Sequence, residues 1–364
     1  MKRMRPFSLL PVVFLFMLTG CGDIFYLSKL GWHQSYIAFH SVPIEEVLKE
    51  PQLSQGVKEK ILFIQKVKRF GEERLGLTHT DNYSTFFETP GPVLRVVTAA
   101  EKDRLHAYVW TFPVVGKVTY KSYFTEEGAR KEREKLDKEG YDTFVQPVEA
   151  YSTLGWFRDP IFSPMLQWNE VSLANVILHE MAHATIYFKG RTDFNEQLAT
   201  FIGSQGAVDF LRETYGSGSK EALKASQVRE DDIRLSGFVD LACQRLTQFY
   251  DQRGSKEEKL KGREALFRSL KEEFLDIRGQ FKTAIYRELE RTDFNNAVFL
   301  AYRRYIHQLQ QFQALYERCG GDLRTLVQLF TGIQKAGKDP VSALREAPRP
   351  SEIEGGPIAP SFRQ

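Results

Sequence analysis

ILHEMAHATIYFKGRTDFNEQLATFIGSQGA, residues 177–207, decides how this chain is read. His179 and His183 are four apart, and Glu180 directly follows the first histidine. On a helix, residues i and i+4 share a face with Cβ atoms about 5–6 Å apart, so two imidazoles there can hold one metal ion. Glu180 on the same turn can reach a water on that ion. The flanking Val176, Ile177, Leu178, Met181, Ala182 and Ala184 are apolar or small, which predicts a buried helix. A buried helix carries two histidines and a glutamate only if something satisfies them.

A third ligand stands downstream. Twelve residues separate His183 from Glu196, which opens a second helical pattern with Leu198, Ala199, Ile202 and Gly203 as its apolar or small positions. Thr192 or Asp193 is the expected N-cap, and Gly190-Arg191 the turn. Two antiparallel helices joined so tightly would set Glu196 opposite the histidines, giving the three protein ligands of a catalytic zinc site, one Zn2+ per chain. Asp193 is the competing carboxylate, and its loop position suits a cap. The bland alternative is a helix hairpin with two core histidines and a surface glutamate.

The pattern His179-Glu180-x-x-His183, followed by Asn195-Glu196 opening a helix, resembles the gluzincin class of zinc peptidases. It resembles more closely a family of bacterial lipoproteins described as aminopeptidases, on AYSTLGWFRDPIFSPML at 150–166 and on residues 177–207, with a weaker echo in DFNNAVFLAYRRY at 293–305. The resemblance covers most of the chain. It implies that His179, His183 and Glu196 bind zinc and that Glu180 is the general base. Two features depart from the wider class. The gap before the third ligand is shorter, and Thr200 stands four residues after it where an aspartate is common. No acidic motif marks a site for a substrate's free amine; Glu149, Glu170 and Asp193 are the candidates near the zinc helices.

The N-terminus gives the location. Lys2, Arg3 and Arg5 precede an apolar run from Phe7 to Leu18, too short to span a bilayer, and Leu18-Thr19-Gly20-Cys21 follows. This reads as a lipoprotein signal over residues 1–20, leaving Cys21 as a lipid-bearing N-terminus; an ordinary secretory signal with an incidental cysteine is the alternative. The expected location is the cell envelope, and with Gly22 after Cys21 the outer membrane, facing the periplasm, in a Gram-negative cell. All three charges of the net +3 lie in the leader, so the mature chain is formally neutral, and no single-sign field points to nucleic acid. Cys243 and Cys319 remain, either paired in an oxidising space or both small buried residues. Oligomeric state leaves no mark in the sequence.

About 340 residues remain after the leader, enough for one large domain. With 42% hydrophobic and 13% aromatic residues it can fill a core. The expected class is α+β, predominantly helical: a zincin-like peptidase with a small sheet beside the zinc helix and a helical C-terminal lobe. Residues 21–40 form the lead-in from the anchor, and 41–340 the peptidase domain, divided at 176 and 207 into a sheet-containing lobe, the zinc helices and the helical lobe. The Pro/Gly-rich tail 341–364 is expected to be disordered. Strand-like runs lie at 93–123 and 143–156, and a charged amphipathic helix spans 256–290.

Within the second run, Ser152, Thr153, Leu154 and Gly155 form the candidate edge strand along a substrate backbone; an ordinary sheet strand is the alternative. Tyr302, Tyr305 and His307 are candidate donors to a developing oxyanion, and Asn295 and Asn296 candidate substrate contacts; core packing and helix capping compete at all five. The expected activity is peptide hydrolysis, as an aminopeptidase or, by the same chemistry, an endopeptidase. The rival is a scaffold in which zinc only ties helices together.

Overall fold

The computed structural model describes residues 21–346 except 92–93, 113–115 and 149–157. The chain begins with α1 (Cys21–His40), β1 (Val42–Pro43), α2 (Ile44–Val47) and α3 (Gln55–Glu73), then β2 (Thr85–Phe87), β3 (Leu94–Ala100), β4 (Trp110–Phe112), β5 (Gly116–Val118) and β6 (Lys121–Tyr123). Next come α4 (Glu126–Lys138), β7 (Asp142–Val148), β8 (Ile161–Phe162), α5 (Glu170–Thr185) and α6 (Thr192–Tyr215). The rest is helical: α7 (Lys220–Asp251), α8 (Lys256–Ile277), α9 (Asn296–Ile306), α10 (Leu309–Arg318), α11 (Leu323–Lys335) and α12 (Pro340–Glu346). The architecture is α+β and mostly helical, as the sequence patterning predicts.

The largest pairing is antiparallel, in the order β6-β3-β7. β3 is central, and LRVVTAA is buried along nearly all its length. β7 can carry Pro147 opposite Arg95 because it is an edge strand. Thr125 caps α4 by accepting from Gly128 N, and Gly140 at φ 87° ends the segment with the positive φ that glycine allows. Leu136 and Ala129 on α4 pack with Val97, Ala99, Trp110 and Phe112 as a small core on one side of the sheet. The main core runs continuously through the helices, from Ile37 on α1 to Leu344 on α12.

One buried polar hub ties sheet to helices. The carboxylate of Asp142 on β7 accepts from the Arg263 guanidinium of α8 at 2.7 Å and from the amide of Asn296 at 3.1 Å. Arg263 also donates to the carbonyl of Lys102 at 2.6 Å. Paired and hydrogen-bonded on both sides, these charges fix the lobes' mutual register.

Three expectations change, and one open alternative is decided. The lead-in is a full helix, α1, whose Tyr26 stacks on Phe112 at 5.3 Å and whose Ile37 enters the core. The long helix stops at Ile277, because the Asp231 carboxylate captures the amides of Lys282 and Thr283, each at 2.8 Å, and turns the chain away. The first tail residues continue the fold: α12 starts at Pro340, where the fixed φ of proline suits a helix start, and buries Leu344. The tail beyond 346 lies outside the described residues. Cys243 and Cys319 are unpaired and buried, which selects the small-core-residue reading; burial pushes the Cys243 thiol up to about 12.

Next to Asp231, Asp232 is buried and accepts from the Tyr286 hydroxyl at 2.6 Å. Burial pushes its carboxyl up to about 7, with the charge of Asp231 adding to the rise. The folded protein thus holds a proton there that the unfolded chain releases near pH 4, so this group's contribution to stability falls as pH rises from about 4 to about 7. Asp232→Asn keeps an acceptor for Tyr286 and cannot ionise. Urea denaturation across that range should show the variant gaining on the parent with pH, by up to about 1.4 kcal/mol per unit.

Candidate metal centre

Two helices build the site. α5 starts at Asn169, whose side chain accepts from Ser172 N, and it is buried on nearly every side: Val171, Leu173, Ala174, Ile177, Leu178, Met181 and Ala182 all lie in the core. It ends where Ile186 turns extended. The return loop is closed by Asn195, whose amide accepts from Phe188 N and donates to Phe188 O, both at 2.9 Å. This reciprocal pair sets the residue before Glu196 and explains the Asn-Glu pair chemically. The expected cap at Thr192 or Asp193 is corrected: the N-cap is Arg191 with no side-chain cap bond, and Thr192 and Asp193 belong to the first turn. The loop held by Asn195 does the work a cap would do.

α6 returns antiparallel and very close to α5. A Cβ on Gly203 would stand 2.7 Å from the carbonyl oxygen of Asn175 and 3.0 Å from Cβ of His179; one on Gly206 would stand 2.8 Å from Leu178. At Gly203 the backbone contact leaves room only for glycine; at Gly206 a leucine side chain would have to move. The contact at His179 is two turns from Glu196 along α6, so it also fixes how far Glu196 stands from the imidazoles.

The three predicted ligands meet. Nε2 of His179 and Nε2 of His183 are 3.1 Å apart, and Oε2 of Glu196 lies 3.5 Å and 3.3 Å from them. No other cluster of this kind is found among the described residues. A tetrahedral ion held by nitrogen and oxygen at 2.0–2.1 Å spaces its ligand atoms about 3.3 Å apart. Two imidazole nitrogens and a carboxylate oxygen so spaced therefore fit zinc. Burial works against the Glu196 charge, but the two histidines overcome it and hold the carboxyl well below the usual range. Nδ1 of His183 is buried with no hydrogen-bond partner among the described residues, so none of these supplies the outer carboxylate common on a ligating histidine.

Glu180 is buried beside the triangle. Burial pushes its carboxyl above the ordinary value; His179 and His183 pull it back, and Glu196 and Asp159 push it further. Of the expected oxyanion donors, Tyr305 is the one near the ligands: its ring centroid is 6.5 Å from that of His179. Burial, then the charge of Glu196, drives its phenol far above the usual range.

The other expectations separate. Tyr302 lies against Phe144 at 6.3 Å, and burial and Glu288, rather than the ligands, raise its phenol to about 12. His307 caps the end of α9 and bonds to Asp240 through Nδ1. Asn296 is wholly buried, donates to the carbonyls of Glu101 and Arg104 and accepts from Tyr250, leaving nothing for a substrate. Asn295 caps α9 at Val298 N and donates to the Thr143 carbonyl. Asn295 and Asn296 are thus corrected to structural roles, while Tyr302 and His307 meet groups other than the ligand triangle. Ser152, Thr153, Leu154, Gly155 and Glu149 lie outside the described residues. Glu170 accepts from Tyr215 at the far end of α5, about 14 Å from His179 along the axis, and Asp193 is exposed.

Two tyrosines escaped the sequence reading. Tyr120, in the turn between β5 and β6, is raised to about 12 by burial, then by Glu196, with Glu180 adding to it. The buried Arg304 holds that turn, donating to the Thr119 carbonyl at 3.2 Å with its guanidinium carbon 4.7 Å from the Tyr120 ring centre. Tyr83 has φ 61°, in the left-handed region unusual for a bulky residue, and its hydroxyl is buried with no partner among the described residues. Burial and then Glu180 raise its phenol well above the ordinary value. The only sign of either in the sequence is a tyrosine in a connection rather than on a strand's alternating face.

With that geometry established, the chain is assigned to a family: it belongs to the one described as "Putative aminopeptidase", whose model matches residues 25–343. No curated protein and no solved structure matches it.

The close approach of α5 and α6 is directly testable. Gly203→Ala forces a methyl against the Asn175 backbone, and overpacking of this kind costs about 1–3 kcal/mol. Denaturant unfolding should show that loss. Gly332→Ala, on a helix where an added Cβ meets nothing, should be neutral or slightly stabilising.

Proposed function

We propose that this protein is a zinc-dependent peptidase of the gluzincin kind, with a zincin-like pairing of site helices, acting as an aminopeptidase. The observation that carries the reading is the triangle of two imidazole nitrogens and one carboxylate oxygen at 3.1, 3.3 and 3.5 Å, with Glu180 buried beside it. Family membership supports the aminopeptidase part. His179, His183 and Glu196 would hold one zinc ion, which when bound acidifies water and polarises a carbonyl.

The remaining chemistry belongs to the chain. Glu180 takes the proton of the attacking water on its carboxylate and passes it to the leaving amine. Its raised pKa suits a group that must hold that proton between the two steps. Tyr305 or Tyr120 donates a hydrogen bond to the peptide oxygen as that oxygen gains charge; burial keeps both phenols protonated and able to donate. A structural zinc site fills all four positions and has no use for a buried glutamate next to its first histidine. Three protein ligands beside such a glutamate favour catalysis over the scaffold reading. Location follows from the leader: lipid on Cys21 anchors the mature chain to the envelope, at the outer membrane facing the periplasm in a Gram-negative cell.

Two variants test the centre together. Elemental analysis should find about one zinc per parent chain, most of it lost in His183→Ala. Glu180→Gln should keep its zinc and lose at least about 10²-fold in kcat. Full metal retention in the first, or an active second, overturns the assignment.

The mode of attack is tested with a peptide and its N-acetylated twin. An aminopeptidase must pair the substrate's ammonium inside the site, because a buried unpaired charge is costly, and so should cleave the free-amine peptide and leave the acetylated one intact. Equal internal cleavage of both would make the protein an endopeptidase with the same centre.

A further inference from the structure

α1 has two unlike faces. The inner face packs on the domain: Tyr26 stacks on Phe112 and donates to the Ser122 carbonyl at 2.8 Å, His33 stacks on Phe124 at 4.8 Å, and Gln34 and Ile37 are buried. The outer face carries Trp32, Tyr36 and Phe39, with exposures of 73%, 48% and 86%. Their spacing of four and then three sets them in one stripe, about 10 Å long at the helical rise. Trp32 and Phe39 are the two most exposed large hydrophobic side chains of the described residues. Val42, just beyond the helix, is exposed as well.

We propose that this stripe lies in the bilayer interface, docking the domain on the membrane to which the chain is tethered. Three observations select lipid as the occupant. The first is position: α1 begins at Cys21, so Trp32 stands about 16 Å along the axis from the residue expected to carry lipid. The second is charge: no acidic residue occurs between Asp23 and Glu45, while Lys29, His33 and His40 do, so nothing on this stretch repels an anionic headgroup layer. The third is composition: tryptophan and tyrosine favour the headgroup level, where an amphipathic ring has one wet and one apolar side. An aromatic stripe seated in the interface adds a second attachment to a lipid chain, and stable anchoring generally takes two. The result is a domain held at a fixed distance from the bilayer rather than swinging on a thread.

The location of the stripe rests on the lipidated-Cys21 reading; its affinity for lipid does not, and one preparation tests the two separately. The mature protein is purified from cells and the mass of its N-terminal peptide is read. An acyl mass on Cys21 supports the anchor, and its absence removes the anchor alone. The same material is then mixed with vesicles of phosphatidylethanolamine and phosphatidylglycerol, about three to one, carrying brominated acyl chains. The Trp32 emission, taken as parent minus Trp32→Phe, should lose about half its intensity or more, as expected for a ring within the interface. An unquenched Trp32 overturns the proposal. If the protein carries no acyl chain, flotation with the vesicles replaces quenching. Trp32→Ser/Phe39→Ser should then bind at least about tenfold less than the parent; equal flotation of both, or flotation of neither, overturns the proposal. A concentration-dependent dimer in sedimentation that the double variant abolishes would instead make the stripe a contact between two copies, and would also overturn it.

Discussion

The close contact of α5 with α6 is the constraint on which the site depends. Two helices normally pack with axes 8–10 Å apart, held off by side chains. Here Gly203 and Gly206 remove that spacer, and Asn175, Leu178 and His179 fill the space a Cβ would take. The Asn195–Phe188 pair then fixes where the second helix starts. With one end pinned by the loop and the middle pinned by glycine, Glu196 has little freedom along or across α6. The distances of 3.3 and 3.5 Å to the imidazoles follow from backbone geometry more than from any side-chain adjustment.

That constraint explains which parts of the site were legible. The ligands and Glu180 could be read directly because they lie on two consecutive helices, where 3.6-residue periodicity and a short loop determine who meets whom. Tyr305 was found among three candidates on one stretch, but helical spacing alone could not choose it over Tyr302 and His307. That choice depends on how α9 rotates against β3 and β7, through the contacts of Asn295, Asn296 and Arg304. Tyr120 and Tyr83 come toward Glu196 and Glu180 from connections 59 and 96 residues before His179. Tyr120 is held there by sheet register and Arg304, and Tyr83 by bonds from its backbone to Asp159 and Gln65, none of which leaves a local pattern. The asparagines show the converse error: polar residues in a resembling motif that the fold uses to join its own lobes.

The fold was legible to the same degree and for the same reason. The α+β class, the charged helix ending near Gly140 and the helical second half follow from periodicity and from glycine placement. The break after Ile277 does not, because it is imposed by Asp231 from another helix, against an apolar pattern that continues to Phe281. The lead-in read as a connection because its apolar residues fall on more than one face of a helix. It is a helix because Tyr26, His33 and Ile37 find partners on the sheet side of the domain.

The two carboxylates of the centre share one buried environment and are driven in opposite directions. Burial alone would raise both. Glu196 faces two imidazoles at 3.3 and 3.5 Å, and their attraction outweighs burial, so its carboxyl is held well below the usual range. Glu180 sits on the same turn as those imidazoles and is buried beside the triangle they form with Glu196. Burial raises its proton affinity most; the histidines pull it back only in part, and Glu196 and Asp159 add to the rise. A pair of acids separated in this way is how one site obtains two roles from one residue type. The separation needs no difference in chemistry between the two side chains, only a difference in how strongly the imidazoles act on each.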